Sequence, residues 1–169
     1  LVNNKRLKMM DDTLLLERIE KIFPDYFERF ELPAGAREES ILVYRACRSG
    51  KCDKDSFMNS YEQNGFRVDP MLDEDDPRQF SLSTYEKPKD VKRFASMDSD
   101  MHVPFKIAIG FTVPVYGLAQ RTRERIKKRD SHVDWWLYKD ATPYKAFELI
   151  PDFEMYLLEY NRKRDEENA

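Results

Sequence analysis

Two tryptophans stand side by side, Trp135 and Trp136, in the run Ser131 to Leu149 (SHVDWWLYKDATPYKAFEL). The apolar part of this run reads as a β-strand, and successive side chains leave a strand on opposite faces. Neighbouring indoles on one strand therefore need cover on both sides of a sheet. One packs inward and the other covers a second apolar surface. A chain of 169 residues is long enough to supply that cover from a core of its own. Its 41% hydrophobic content excludes general disorder, and 13% aromatic content points to a core built on Phe and Tyr.

Charge narrows the function classes. The formal net charge is -3, so no global field draws the chain to nucleic acid or to a membrane surface. No run approaches the roughly 20 apolar residues of a membrane span. The N-terminal LVNNKRLKMMDD lacks the apolar stretch of a secretory signal, so a cytoplasmic protein is the expectation. Cys47 and Cys52 form a C-x4-C pair with no second pair and with distant histidines. Two free thiols and no metal are expected.

Hydropathy patterning predicts an α+β fold. A mixed, mainly antiparallel sheet, with two small packed sheets as an alternative arrangement, carries N-terminal, middle and C-terminal helices. Residues 1–169 read as a single domain, with an α/β core over 41–150. Residues 1–11 are loose and basic. Helical spacing of Leu15, Ile19, Ile22, Tyr26 and Phe30 predicts a helical segment within 12–30, kinked at Pro24. Ile41 to Cys47 reads as a central strand, apolar on both faces. Asp53 caps a helix from Lys54 to Asn64, closed by Gly65. Residues 66–77 are loop. Arg78 to Tyr85 alternates as a strand, and Pro88 opens a helix to about Ser96. Phe105 to Val113 is a strong strand and Val115 to Leu118 a weaker one. Tyr144 to Ile150 is a strand, and a helix follows Pro151-Asp152. Residues 161–169 read as a frayed tail.

Common nucleotide and hydrolase signatures are absent: no G-x-G-x-x-G, P-loop, G-x-S-x-G or H-E-x-x-H occurs. What remains is a trio of strand-borne groups: Arg45; Ser81 and Ser83; His132 and Asp134. An arginine in a strand that otherwise reads as buried needs a partner or a ligand anion, unless it sits at an exposed strand end. A guanidinium binds phosphate through a charge-assisted fork. A serine hydroxyl positions a sugar, and a carboxylate stabilises positive charge developing at a ribose C1.

The order of these pieces resembles the arginine–serine–glutamate class of ADP-ribosyltransferases. Tyr44-Arg45 stands where that class has its early Tyr-Arg pair. Phe80-Ser81-Leu82-Ser83-Thr84, with a helix after it, stands where it has a Ser-Thr-Ser-like strand. His132-Val133-Asp134 stands where it has Glu-x-Glu, before an apolar strand, a Pro-containing turn and a last strand. The resemblance covers about residues 41–150. It implies NAD as substrate, with Arg45 on its phosphates, Ser83 bracing the nicotinamide ribose, Ser81 beside it among the cofactor-binding residues, and Asp134 stabilising the cation left by nicotinamide. Two roles are implied for His132: a base toward the acceptor, or a replacement that removes the usual arginine-directed activity. Two departures stand out: aspartate is shorter than glutamate, and His132 replaces the first acid.

Six basic residues fall within Arg121 to Arg129 against one acid, Glu124. The cluster lies just before the His132 strand, where the family has its acceptor-recognition loop. Arg121, Arg123, Arg125, Lys127 and Lys128 are thus implied contacts for a protein or nucleic-acid acceptor; a solvated face is the plainer reading. A toxin or mobile-element effector is one role the resemblance implies. A non-catalytic interaction module and a nucleic-acid binder are the alternatives.

Overall fold

Six strands form one antiparallel sheet in a computed structural model that describes residues 18–97 and 105–169. They are β1 (Leu42–Cys47), β2 (Leu82–Tyr85), β3 (Lys106–Phe111), β4 (Gly117–Arg121), β5 (His132–Leu137) and β6 (Phe147–Leu149), ordered β4-β5-β2-β1-β3-β6. Three helices accompany them: α1 (Ser60–Gln63), α2 (Pro88–Met97) and α3 (Phe153–Glu167). The α+β class and the mainly antiparallel core match the sequence reading, and the strands form one sheet rather than the alternative of two. No helix among the described residues is long and apolar enough to cross a membrane.

The tryptophan pair sits as strand alternation requires. Both indoles are fully buried. Trp135 packs with Val43, Leu82, Ala119, Val133 and Phe147 on one face of the sheet. Trp136, by alternation on the other face, packs with Phe30, Tyr61 and Phe80. Its Nε1 donates to the Pro77 carbonyl at 3.0 Å. Burying roughly 200 Å² per indole at about 25 cal/mol/Å² contributes about 5 kcal/mol each. Tyr44, Tyr85, Ile107 and Ile109 lie under α2 and α3, which supply Val91, Phe94, Phe153 and Tyr156.

β1 is internal, as its apolar character predicts. It pairs with β3 along its whole length, from Leu42↔Phe111 to Cys47↔Lys106. Its pairing with β2 is confined to Tyr44↔Tyr85. Beyond that pair the strands part. The parting is where the site forms.

Several predicted elements change form. Residues 18–24 are not helical, and Asp25–Arg29 is a single 3-10 turn; residues 12–17 lie outside the described residues. Pro24 lacks an N–H and disfavours helix at the residue before it. Its neighbours instead lay Phe23, Tyr26, Phe27 and Phe30 onto Phe80 and Trp136, with Phe30 and Phe80 stacked at 4.5 Å. The helix expected over 54–64 is a 3-10 turn, Lys54–Phe57, followed by α1. Asp53 caps the first through Ser56 N, and Asn59 caps the second through Glu62 N. The strand expected from Arg78 begins only at Leu82, after a 3-10 turn at Pro77–Phe80. A similar turn at Pro143–Ala146 shortens the last strand to β6. The weak strand at 115–118 lies further on, as β4. The tail expected to fray is helical to Glu167, with Arg162 bridging Glu159 and Glu166.

Candidate functional site

β5, β2 and β1 are neighbours in the sheet, so the three strand-borne groups come side by side. The β2–β5 register pairs Ser83 with Asp134 and Tyr85 with His132.

Arg45 is buried, and each of its three nitrogens donates one hydrogen bond. Nε donates to the Ser56 carbonyl at 3.0 Å, Nη1 to the Ser83 carbonyl at 2.9 Å and Nη2 to the Met58 carbonyl at 3.3 Å. The guanidinium fills the parting between β1 and β2 and ties both to the segment before α1. Burial pulls its pKa down to about 10. Of its five N–H donors, the second hydrogen on each terminal nitrogen is uncommitted to these carbonyls.

Asp134 is wholly enclosed. Oδ1 accepts from Ser81 Oγ at 2.6 Å, while Oδ2 accepts from Thr122 Oγ1 at 2.8 Å and from Arg125 Nη2 at 2.8 Å. Arg125 also donates to Gln120 Oε1 at 2.6 Å and lies 5.5 Å from the centre of the Trp136 ring. A buried carboxylate needs this degree of pairing.

His132 is buried at 7% exposure, with its ring edge against Tyr85. Nδ1 is 2.5 Å from Thr122 Oγ1, and Nε2 is 3.0 Å from Ser83 Oγ. Burial lowers its pKa and outweighs the opposing pull of Asp134, so the neutral ring is favoured.

Two cavities open over these groups. One of about 160 Å³ is lined by Arg45, Arg48, Ser81 and Ser83. The other, about 580 Å³, is lined by His132, Arg93, Lys127, Lys128 and Arg129. Ser60, Ser83 and Phe94 line both, making one continuous groove. Arg45, Ser81, Ser83 and His132 thus meet along a single groove. Asp134 lies beneath it, hydrogen-bonded to Ser81 and Thr122 and 4.0 Å from His132 Nδ1. Arg45 and Asp134 share no contact.

The basic segment divides. Arg121 bridges Glu39 and Glu86, Arg123 pairs with Glu86, and Arg125 pairs with Asp134. Lys128 stands 3.8 Å from Asp130. Lys127 and Arg129, with Arg93 from α2, have no carboxylate partner among the described residues and edge the groove. Four of the six cations thus stand against carboxylates, and Lys127 and Arg129 edge the groove.

Thr122 escaped sequence reasoning, and Arg125 was read as an acceptor contact when it is the partner of Asp134. The β4–β5 hairpin was the signal for both. Its register, Arg121↔Val133, sets Thr122 beside His132. Toward the opposite side of β2 a further cavity of about 430 Å³ is lined by Tyr26, Phe57, Leu82, Tyr138 and Tyr144, and it shares Met58 and Asn59 with the smaller cavity above. Among the described residues no group of His, Cys, Asp and Glu is arranged to hold a metal, and Cys47 and Cys52 are free thiols. Comparison with family models, curated proteins and solved structures gives no match.

Proposed function

We propose that this chain is an ADP-ribosyltransferase-like protein that binds NAD in the groove along β1, β2 and β5 and transfers ADP-ribose to a macromolecular acceptor. The observation that carries the reading is the position of Ser83. It stands between the two halves of the motif set, its carbonyl on Arg45 and its hydroxyl on His132. Motifs far apart in sequence thus line one groove of a size suited to a dinucleotide.

The groove's chemistry supports the same ligand. Arg45 and Arg48 lie at one end and Arg93, Lys127 and Arg129 at the other, which suits a pyrophosphate. The Ser60 and Ser83 hydroxyls lie between them for ribose, and Phe94 offers an apolar ring. The acceptor approaches past Lys127 and Arg129, whose charges favour an acidic or phosphate-rich surface.

Asp134 favours a second reading. Its oxygens are filled by Ser81, Thr122 and Arg125, which suits a module that holds NAD without cleaving it. Calorimetry with NAD and an assay for nicotinamide release separate the two. Saturable binding with release supports a transferase, and binding without release supports the silent module. Absence of binding at millimolar NAD rejects both.

A further inference from the structure

The directions of the hydrogen bonds around His132 are fixed by elimination. A carboxylate paired with Arg125 has no hydrogen to give, so the Thr122 hydroxyl donates its only hydrogen to Asp134 Oδ2. Thr122 Oγ1 must then accept from His132, which places the ring hydrogen on Nδ1. In the neutral ring Nε2 is left as a bare acceptor, and the group facing it at 3.0 Å is the Ser83 hydroxyl. The chain runs Ser83 to His132 to Thr122 to Asp134, each link short and each direction set by the next.

We propose that Ser83 is a nucleophile, with His132 as its general base and Thr122 and Asp134 as positioning residues that hold the imidazole in the required tautomer. The geometry is that of an activated hydroxyl: oxygen and base within hydrogen-bond reach, and the base oriented from behind by a third group. Location supports it. Ser83 is half-buried and lines both cavities, so its hydroxyl is within reach of a ligand. Arg93, Lys127 and Arg129 edge the same groove and stabilise negative charge building on an attacked phosphorus centre.

Toward NAD the step balances as a substitution at C1 of the nicotinamide ribose. Ser83 Oγ bonds to C1, the bond from C1 to the nicotinamide nitrogen breaks, and its electron pair leaves with neutral nicotinamide. The serine proton passes to His132 Nε2 and then to water. The product is the protein itself, ADP-ribosylated on Ser83. This step rests on the nucleotide reading above; the nucleophile does not.

Two electrophiles keep the claims apart. A fluorophosphonate probe tests the nucleophile alone: Ser83 Oγ bonds to phosphorus, fluoride leaves, and His132 takes the proton. Peptide mapping of the folded full chain is expected to find the label on Ser83. Labelling should fall at least tenfold in His132→Gln and Thr122→Val, with circular dichroism confirming that both variants fold. The rate should rise with pH and level off below the usual histidine value of about 6.5. Asp134 and Asp130 pull the ring's pKa up, while burial, the largest effect, acts with Lys128 and Arg125 to hold it down; Tyr85, Asp90, Arg93, Lys127 and Arg129 line the same cavity. Label absent from Ser83 in folded protein, or labelling indifferent to both variants, overturns the proposal. Incubation with NAD is expected to add one ADP-ribosyl group at the same residue. Fluorophosphonate labelling without that adduct supports the nucleophile and removes NAD as its substrate.

Discussion

Ser83 and His132 sit on adjacent strands with Oγ 3.0 Å from Nε2, on the surface of a groove that Arg45 lines from the other side. Antiparallel register makes the contact. Ser83 pairs across the sheet with Asp134, two residues beyond His132 on the same face. The diagonal neighbour is then within reach of a side chain.

Histidine burial makes stability pH-dependent in one direction. His132 has a lowered pKa in the fold, so below its unfolded value of about 6.5 the unfolded chain binds a proton that the native chain does not. This contribution is complete above about pH 6.5 and is lost as pH falls through the native pKa. Urea unfolding between pH 7.5 and 5 should show a loss of stability that is smaller in His132→Gln.

The Arg125–Asp134 pair is a buried charge pair whose arginine also covers Trp136. Arg125→Ala leaves an enclosed carboxylate without its cation and is expected to cost about 3–5 kcal/mol. Arg125→Ala combined with Asp134→Asn should cost well under the sum of the two changes. A double-mutant cycle in urea measures this coupling.

Arg45 anchors three carbonyls, at Ser56, Met58 and Ser83. Arg45→Ala strands them in a buried parting and is expected to cost several kcal/mol, at about 1–3 kcal/mol for each unsatisfied group. Arg45→Lys keeps the charge and cannot span three acceptors in a fork, so it should recover only part of the loss. Thermal melts of both variants test this ordering.

Trp136 tests the two-faced sheet. Trp136→Ala should cost about 3–5 kcal/mol. Trp136→Phe should cost less: it keeps ring packing and loses the bond to the Pro77 carbonyl, worth about 1 kcal/mol. Denaturant midpoints rank the pair.

What was legible in the sequence follows from period and punctuation. Val43, Tyr44 and Cys47 announced an internal strand, and Trp135-Trp136 announced a sheet covered on both faces. Pro88 placed α2 within a residue. Short-range hydrogen bonding was harder to see. Tyr26 and Phe30 keep a helical spacing, yet they reach the core from a 3-10 turn because aromatic packing outweighs helix formation beside Pro24. β4 was misplaced because Gln120 and Arg121 broke the apolar pattern, although Gln120 bonds Arg125 and Arg121 bridges two glutamates. The candidate residues were read from motif order, but their contacts depend on register. Nothing local to Asp134 reveals that Arg125 closes over it.

The groove assignment has one direct test. The His132 imidazole resonances are followed by NMR during an NAD titration of the full chain, beside a Lys127→Glu, Arg129→Glu double variant. Both changes are on exposed side chains without carboxylate partners among the described residues, so the fold is expected to persist. The account predicts a saturable shift at His132, weakened at least tenfold in the double variant and reduced by added salt. Unmoved His132 resonances at millimolar NAD, or shifts confined to Tyr138 and Tyr144 in the opposite cavity, would contradict it.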